Sequence, residues 1–101
     1  MNDSEKLNPV HPGEVLLEEF LKPMGINQSQ LALAIRVPVQ TICEIIQGNY
    51  SITADIALRF ARYFNMSPQF WLGLQMDYDL DVASDALGEQ LMHEVAVMAA
   101  V

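Results

Sequence analysis

Gln40, Cys43, Glu44 and Gln47 recur at spacings of three, four and seven residues. At about 3.6 residues per turn such positions share one face of a helix, and Ile42, Ile45 and Ile46 take the opposite face. The Gln40 amide matches the donor and acceptor pair on the major-groove edge of adenine, and the Glu44 carboxylate can accept from the amine of cytosine. The same spacing carries the base-reading residues of homeodomain recognition helices. A solvated face of any helical hairpin has this periodicity too, so both readings stand at this point. Cys43 has no second cysteine and no histidine near it in sequence, which makes it a small polarizable residue on that face rather than a nucleophile or a metal ligand.

Such a face needs a partner helix to position it. Residues 28–35 place Leu31, Ala32, Ala34 and Ile35 at three- and four-residue spacings, and Ile35-Arg36-Val37-Pro38 makes a tight connection into residues 38–47. Ala32 is small where two crossing helices would approach, Pro38 suits a helix start and Gly48 a helix stop. The run QSQLALAIRVPVQTICEIIQ, residues 28–47, therefore reads as a helix-turn-helix around which the chain is organised.

Upstream, His11-Pro12-Gly13-Glu14 has the signature of a helix start, with Pro12 at the first helical position and the Glu14 carboxylate near the first amides. His11 is assigned to that start rather than to a catalytic pair. Leu16, Leu17, Phe20 and Leu21 form a buried stripe, and Pro23 with Gly25 ends the helix. Downstream, Gly48 to Ile52 has turn chemistry, and Thr53 caps a helix with the stripe Ile56, Ala57, Phe60, Ala61 and Phe64. Ser67-Pro68 opens a fifth helix bearing Phe70, Trp71 and Leu74, with Trp71 a core plug in preference to a dimer-face residue. The spacing thus predicts an all-α, compact five-helix bundle over residues 11–80 behind a flexible arm over residues 1–10. Tyr78 to Ala83 reads as an acidic connection. Leu87, Leu91, Val95 and Met98 predict a sixth helix in an acidic C-terminal helical extension over residues 81–101, packed on the domain or docked on another chain.

A length of 101 residues with 51% hydrophobic content suits one domain with its own core. The single cysteine excludes an internal disulfide framework, and no apolar run resembles a signal peptide or spans a bilayer, so a soluble cytoplasmic protein with no membrane partner is expected. The net charge of -8 opposes tight binding of a polyanion. Its distribution softens the objection: six acidic residues from Asp77 onward, with no Lys or Arg among them, hold -6 of it. Lys6, Lys22, Arg36, Arg59 and Arg62 all precede Asp77. His93-Glu94 begins an H-E-x-x-H pattern, but Val97 stands at the second His and the zinc-protease pattern fails. No enzymatic constellation is found, and no metal or cofactor is expected.

With these landmarks in order, the chain resembles the HigA-like antitoxins, antidote proteins of toxin-antitoxin modules within the Xre-like helix-turn-helix repressors. The resemblance runs from His11 to about Leu80 and is carried by HPGEVLLEEFLKPMG, QSQLALAIRVPVQTICEII, GNYSITADIALRFARYF and SPQFWLGLQMDYDL. It implies a repressor-like fold, a homodimer, a palindromic double-stranded operator DNA ahead of its own operon, and a cognate RelE-like mRNA interferase toxin as partner. Carried over residue by residue, it implies a DNA surface of Gln28, Arg36, Val39, Gln40, Thr41, Cys43, Glu44, Gln47, Asn49 and Tyr50. In that surface Gln28 meets a phosphate at a helix N-terminus, Gln40 and Thr41 face base edges or backbone, and Tyr50 bonds a phosphate or covers the helix-loop junction. Relatives carry Arg, or Asn with Arg, at the positions of Gln40 and Thr41, and Lys-Arg at Asn49-Tyr50. Gly is usual at Arg36, so a left-handed turn there is strained, and Arg36 can offset this by meeting phosphate. Two alternatives accompany the reading: a phage-type regulator without a toxin, and a toxin inhibitor with weakened DNA binding whose acidic tail steers a basic toxin.

Overall fold

In the computed structural model residues 9–99 are described, and they are helical throughout apart from short connections. Helix α1 opens as Pro12–Val15, widens into a π-helical stretch over Leu16–Leu21 and closes as Lys22–Met24. The N–H of Lys22 reaches the carbonyl of Leu17, five residues back. Pro23 follows at once; its ring has no N–H to give and would crowd the carbonyl of Glu19 in a regular helix, so the wider turn accommodates it. The side-chain acceptor at the start of α1 is His11, whose Nδ1 accepts from the Gly13 N–H at 2.9 Å, while Glu14 stays exposed.

The hairpin follows as α2, Gln28–Ile35, and α3, Val39–Ile46. Asn27 and Gln30 form a reciprocal capping box at the start of α2, each side chain accepting from the other's backbone N–H at 2.8 Å. Arg36 ends α2 in the left-handed region, φ 63° and ψ 46°, as the connection demanded. Pro38 caps α3 from just outside it rather than opening it. Gly48, at φ 82°, turns the chain away after α3 and donates to the Ile45 carbonyl at 3.0 Å.

Helix α4 spans Ala54–Phe64 behind the Thr53 cap, and α5 spans Pro68–Leu87 behind Ser67. The acidic connection expected over Tyr78 to Ala83 is helix instead. No Gly or Pro occurs over residues 74–87, so α5 continues through the acidic stretch. The sixth helix is shorter than expected: α6 covers only Gln90–Glu94, after Gly88, and Val95 is already extended. Every described residue from Asp79 to Ala99 is exposed. The arm expected over residues 1–10 lies, Pro9 and Val10 apart, outside the described residues.

The core joins Leu16 and Leu21 of α1, Leu31 and Ile35 of α2, Ile42 and Ile45 of α3, Ile56 and Phe60 of α4, and Trp71 of α5. Trp71 is fully buried, with ring centroids of Phe60, Phe20 and Phe70 at 4.9, 5.0 and 5.2 Å, so it is the core plug that its spacing predicted. Gly13 lets α1 lie directly on α3, since a Cβ there would sit 1.8 Å from the Ile45 carbonyl oxygen. The principal extents of 53 × 33 × 22 Å reflect α5 leaving this core.

Candidate nucleic-acid interface

Helix α3 sits on the core through Ile42 and Ile45, which turns Val39, Gln40 and Gln47 to the outside, with Thr41, Cys43 and Glu44 half-buried. Asn49 and Tyr50 follow on an exposed loop, and Arg36 is exposed at the turn. The ten candidate residues therefore occupy the start of α2, the turn, α3 and the loop after it.

Two hydrogen bonds organise this surface. Gln40 Nε2 donates to Glu44 Oε2 at 2.7 Å, one turn along α3. The amide and carboxylate that could each meet a base are thus paired with one another, and the Gln40 carbonyl oxygen is left outward as an acceptor. Cys43 Sγ donates to Gln28 Oε1 at 2.9 Å and fastens the first residue of α2 against the middle of α3. With its oxygen occupied, the Gln28 amide has its nitrogen as the remaining donor, beside the first backbone N–H groups of α2. Cys43 therefore acts between the two helices, a role that its lateral position on the α3 face allows and that periodicity alone does not reveal.

The electrostatics are sparse. α3 carries Glu44 and no cation. Among the described residues Arg36 makes no ion pair, whereas Arg59 is held by Asp55 and Lys22 by Glu18. Within the hairpin itself, the groups that can attract a phosphate are therefore Arg36 and the N-terminal ends of α2 and α3, while Arg62, exposed on α4, also has no ion pair among the described residues. No group of three or more His, Cys, Asp and Glu side chains among the described residues could hold a metal ion. No helix among them is long and apolar enough to cross a membrane.

Two residues that hold the interface were not singled out from sequence. Arg59 Nη1 donates to the Ile35 carbonyl at 2.7 Å, and Gln75 Oε1 accepts from the Ile52 N–H at 2.7 Å. Gln75 lies on the core side of α5 beside Trp71, where a buried polar residue is a detectable break in pattern. The capping box at Asn27 and Gln30 has a readable spacing as well.

Comparison with known proteins agrees with this geometry. A helix-turn-helix family model matches residues 17–71. The chain is 50% identical over 74 residues to virulence-associated protein I of Dichelobacter nodosus, covering 73% of this chain and 68% of that protein. It is 41% identical over 75 residues to antitoxin HigA-1 of Vibrio cholerae serotype O1, covering 74% of this chain and 70% of the other. Among solved structures, Pseudomonas aeruginosa antitoxin HigA with the higBA promoter matches with a TM-score of 0.87 at 42% identity, over 90% of this chain and 99% of that one. Antitoxin GraA in complex with its operator matches with a TM-score of 0.86 at 37% identity, over 93% and 95%. The chain belongs to the helix-turn-helix family, in the Xre-like branch that contains the HigA antitoxins.

Proposed function

We propose that this chain is the antitoxin of a toxin-antitoxin module: as a homodimer it binds a palindromic operator and represses its own operon, and it neutralises a RelE-like mRNA interferase. The observation that carries this reading is the match along nine-tenths of the chain to an antitoxin HigA solved with promoter DNA, together with an α3 face left open beside the α2 N-terminus. In this reading α3 enters the major groove, Gln40 and Thr41 meet base edges, and Gln28, Arg36, Asn49 and Tyr50 meet phosphates. Val39, Cys43, Glu44 and Gln47 complete the surface.

The second copy is proposed to pair along α5. Leu72, Met76, Leu80, Ala83 and Leu87 recur every three or four residues and are all exposed, which makes one apolar stripe down a helix that has left the core. A two-fold interface uses the same patch twice, and an apolar stripe satisfies that demand. Dimerisation doubles the few phosphate contacts that each chain can make.

The decisive experiment is titration of the full chain on the DNA upstream of its own gene at several salt concentrations. A salt-dependent shift that Gln40→Ala and Arg36→Ala weaken supports the operator reading; no shift at low salt sinks it. The pairing of Gln40 with Glu44 and the lack of a cation on α3 favour a second reading, a toxin inhibitor with weakened DNA binding. In that case the chain captures a basic toxin without shifting the DNA, and deletion after Asp77 weakens the capture.

A further inference from the structure

The loop from Gly48 to Thr53 carries Asn49 and Tyr50, and it is held at two points. Near its start, the Asn49 N–H donates to the Glu44 carbonyl at 2.9 Å. Near its end, the Ile52 N–H donates to Gln75 Oε1 at 2.7 Å, a bond between a loop and a helix 23 residues further along the chain. Gln75 Nε2 in turn donates to Asp79 Oδ1 at 2.9 Å. The amide orientation follows from chemistry: a backbone N–H can only donate and a carboxylate can only accept, so the oxygen faces Ile52 and the nitrogen faces Asp79. Ile52 and Gln75 are both buried. An apolar side chain at 75 would suit the core better in every respect but one, since it would leave the buried Ile52 N–H without an acceptor.

We propose that Gln75 is a positioning residue for DNA binding, which fixes the loop after α3 so that Asn49 and Tyr50 present their polar groups to the phosphate backbone. The proposal rests on the operator-binding reading above. Gln75 is buried and its action runs through Ile52, so its removal acts on the contacts that the loop makes and leaves those of Arg36 and Gln28 in place. It also ties the contact loop to α5.

The test is a set of double-mutant cycles on the full chain, with operator affinity read by fluorescence anisotropy and folding checked by thermal melts. Gln75→Met keeps the length and helix preference of the side chain and removes the acceptor. It is expected to weaken binding about tenfold, the size of one lost hydrogen bond. In that background Tyr50→Phe and Asn49→Ala, each weakening the unaltered chain a few fold, are expected to have no further effect. Losses that simply multiply overturn the proposal. The swap Gln75→Glu with Asp79→Asn preserves net charge, an acceptor for the Ile52 N–H and a hydrogen-bonded pair at 75 and 79. It is expected to bind like the unaltered chain; a tenfold loss in the folded swap overturns the proposal even where Gln75→Met does not fold. Failure of the unaltered chain to bind its operator removes the functional reading and this proposal together, whereas multiplicative losses in a chain that binds remove only the role of Gln75.

Discussion

Arg59 Nη1, on α4, donates to the carbonyl oxygen of Ile35, the last residue of α2, at 2.7 Å. The carbonyls of a final helical turn lack partners within the helix and form its negative end, so a guanidinium there both bonds and compensates charge. The same side chain holds Asp55 Oδ1 through Nε at 2.6 Å. Arg59→Ala is expected to lower stability by about 1 kcal/mol, a value kept small by the partial exposure of the side chain. Urea unfolding should show the lower midpoint with an unchanged slope. Arg59→Lys should recover only part, because an ammonium lacks the planar fork that reaches both acceptors.

Gly13→Ala probes the contact between α1 and α3. A Cβ at 1.8 Å from the Ile45 oxygen meets backbone, which cannot swing aside as a side chain can. A loss of about 3 kcal/mol is expected from forcing the two helices apart. The measurement is a thermal melt, with a fall of roughly 12 to 24 °C marking the effect.

Arg36→Gly separates fold from binding at the turn. The left-handed backbone at φ 63° strains a residue with a Cβ, and Gly relieves it while loosening the unfolded chain, for a net gain of about 0.5 kcal/mol. Operator affinity should fall in spite of the gain. The slope of log affinity against log salt should drop by about two for the dimer, as one phosphate contact per subunit is lost. An unchanged slope would place Arg36 away from phosphate.

Protonation of His11 opposes folding. Burial pushes its pKa below the ordinary 6.5, and nearby Asp79 pulls back only in part. The imidazole is needed neutral, since Nδ1 accepts from the Gly13 N–H. Below 6.5 the unfolded chain takes up a proton that the folded chain resists, so the contribution of His11 to stability is complete above 6.5 and is lost as the pH falls below it. Melting midpoints between pH 7.5 and about 5 should therefore decline. His11→Asn keeps a capping acceptor and should flatten that part of the profile.

Leu80→Asp places a carboxylate in the middle of the exposed stripe on α5. It is expected to yield folded monomers of unchanged helical content in sedimentation and circular dichroism experiments, because Leu80 is exposed within the chain. A dimer that persists in this variant assigns the interface to another surface.

The hairpin was legible because its determinants are local. Ile42 and Ile45 set which side of α3 is buried, Arg36 and Gly48 bound the helices, and Thr53 and Ser67 cap the next two. What escaped the sequence depends on pairs far apart along it. Cys43 looks outward by periodicity yet meets Gln28 from the neighbouring helix, and Arg59 looks like a solvated cation yet reaches Ile35. The connection expected over Tyr78 to Ala83 is helix for a different reason. Charge density alone does not break a helix, because acidic side chains at helical spacing stay solvated on an exposed helix without interrupting its backbone.

Helix α5 spans 20 residues, about 30 Å at 1.5 Å per residue, anchored in the core at one end by Trp71 and exposed at the other. In the proposed dimer the two reading heads are mounted like the jaws of a fixed caliper, with a stiff rod where a hinge would allow adjustment. The operator must then match that span: one base pair inserted between half-sites displaces one of them by about 3.4 Å and turns it by roughly a tenth of a revolution. Tolerance to changed spacing is thus set by the stiffness of this rod rather than by the side chains that touch the bases.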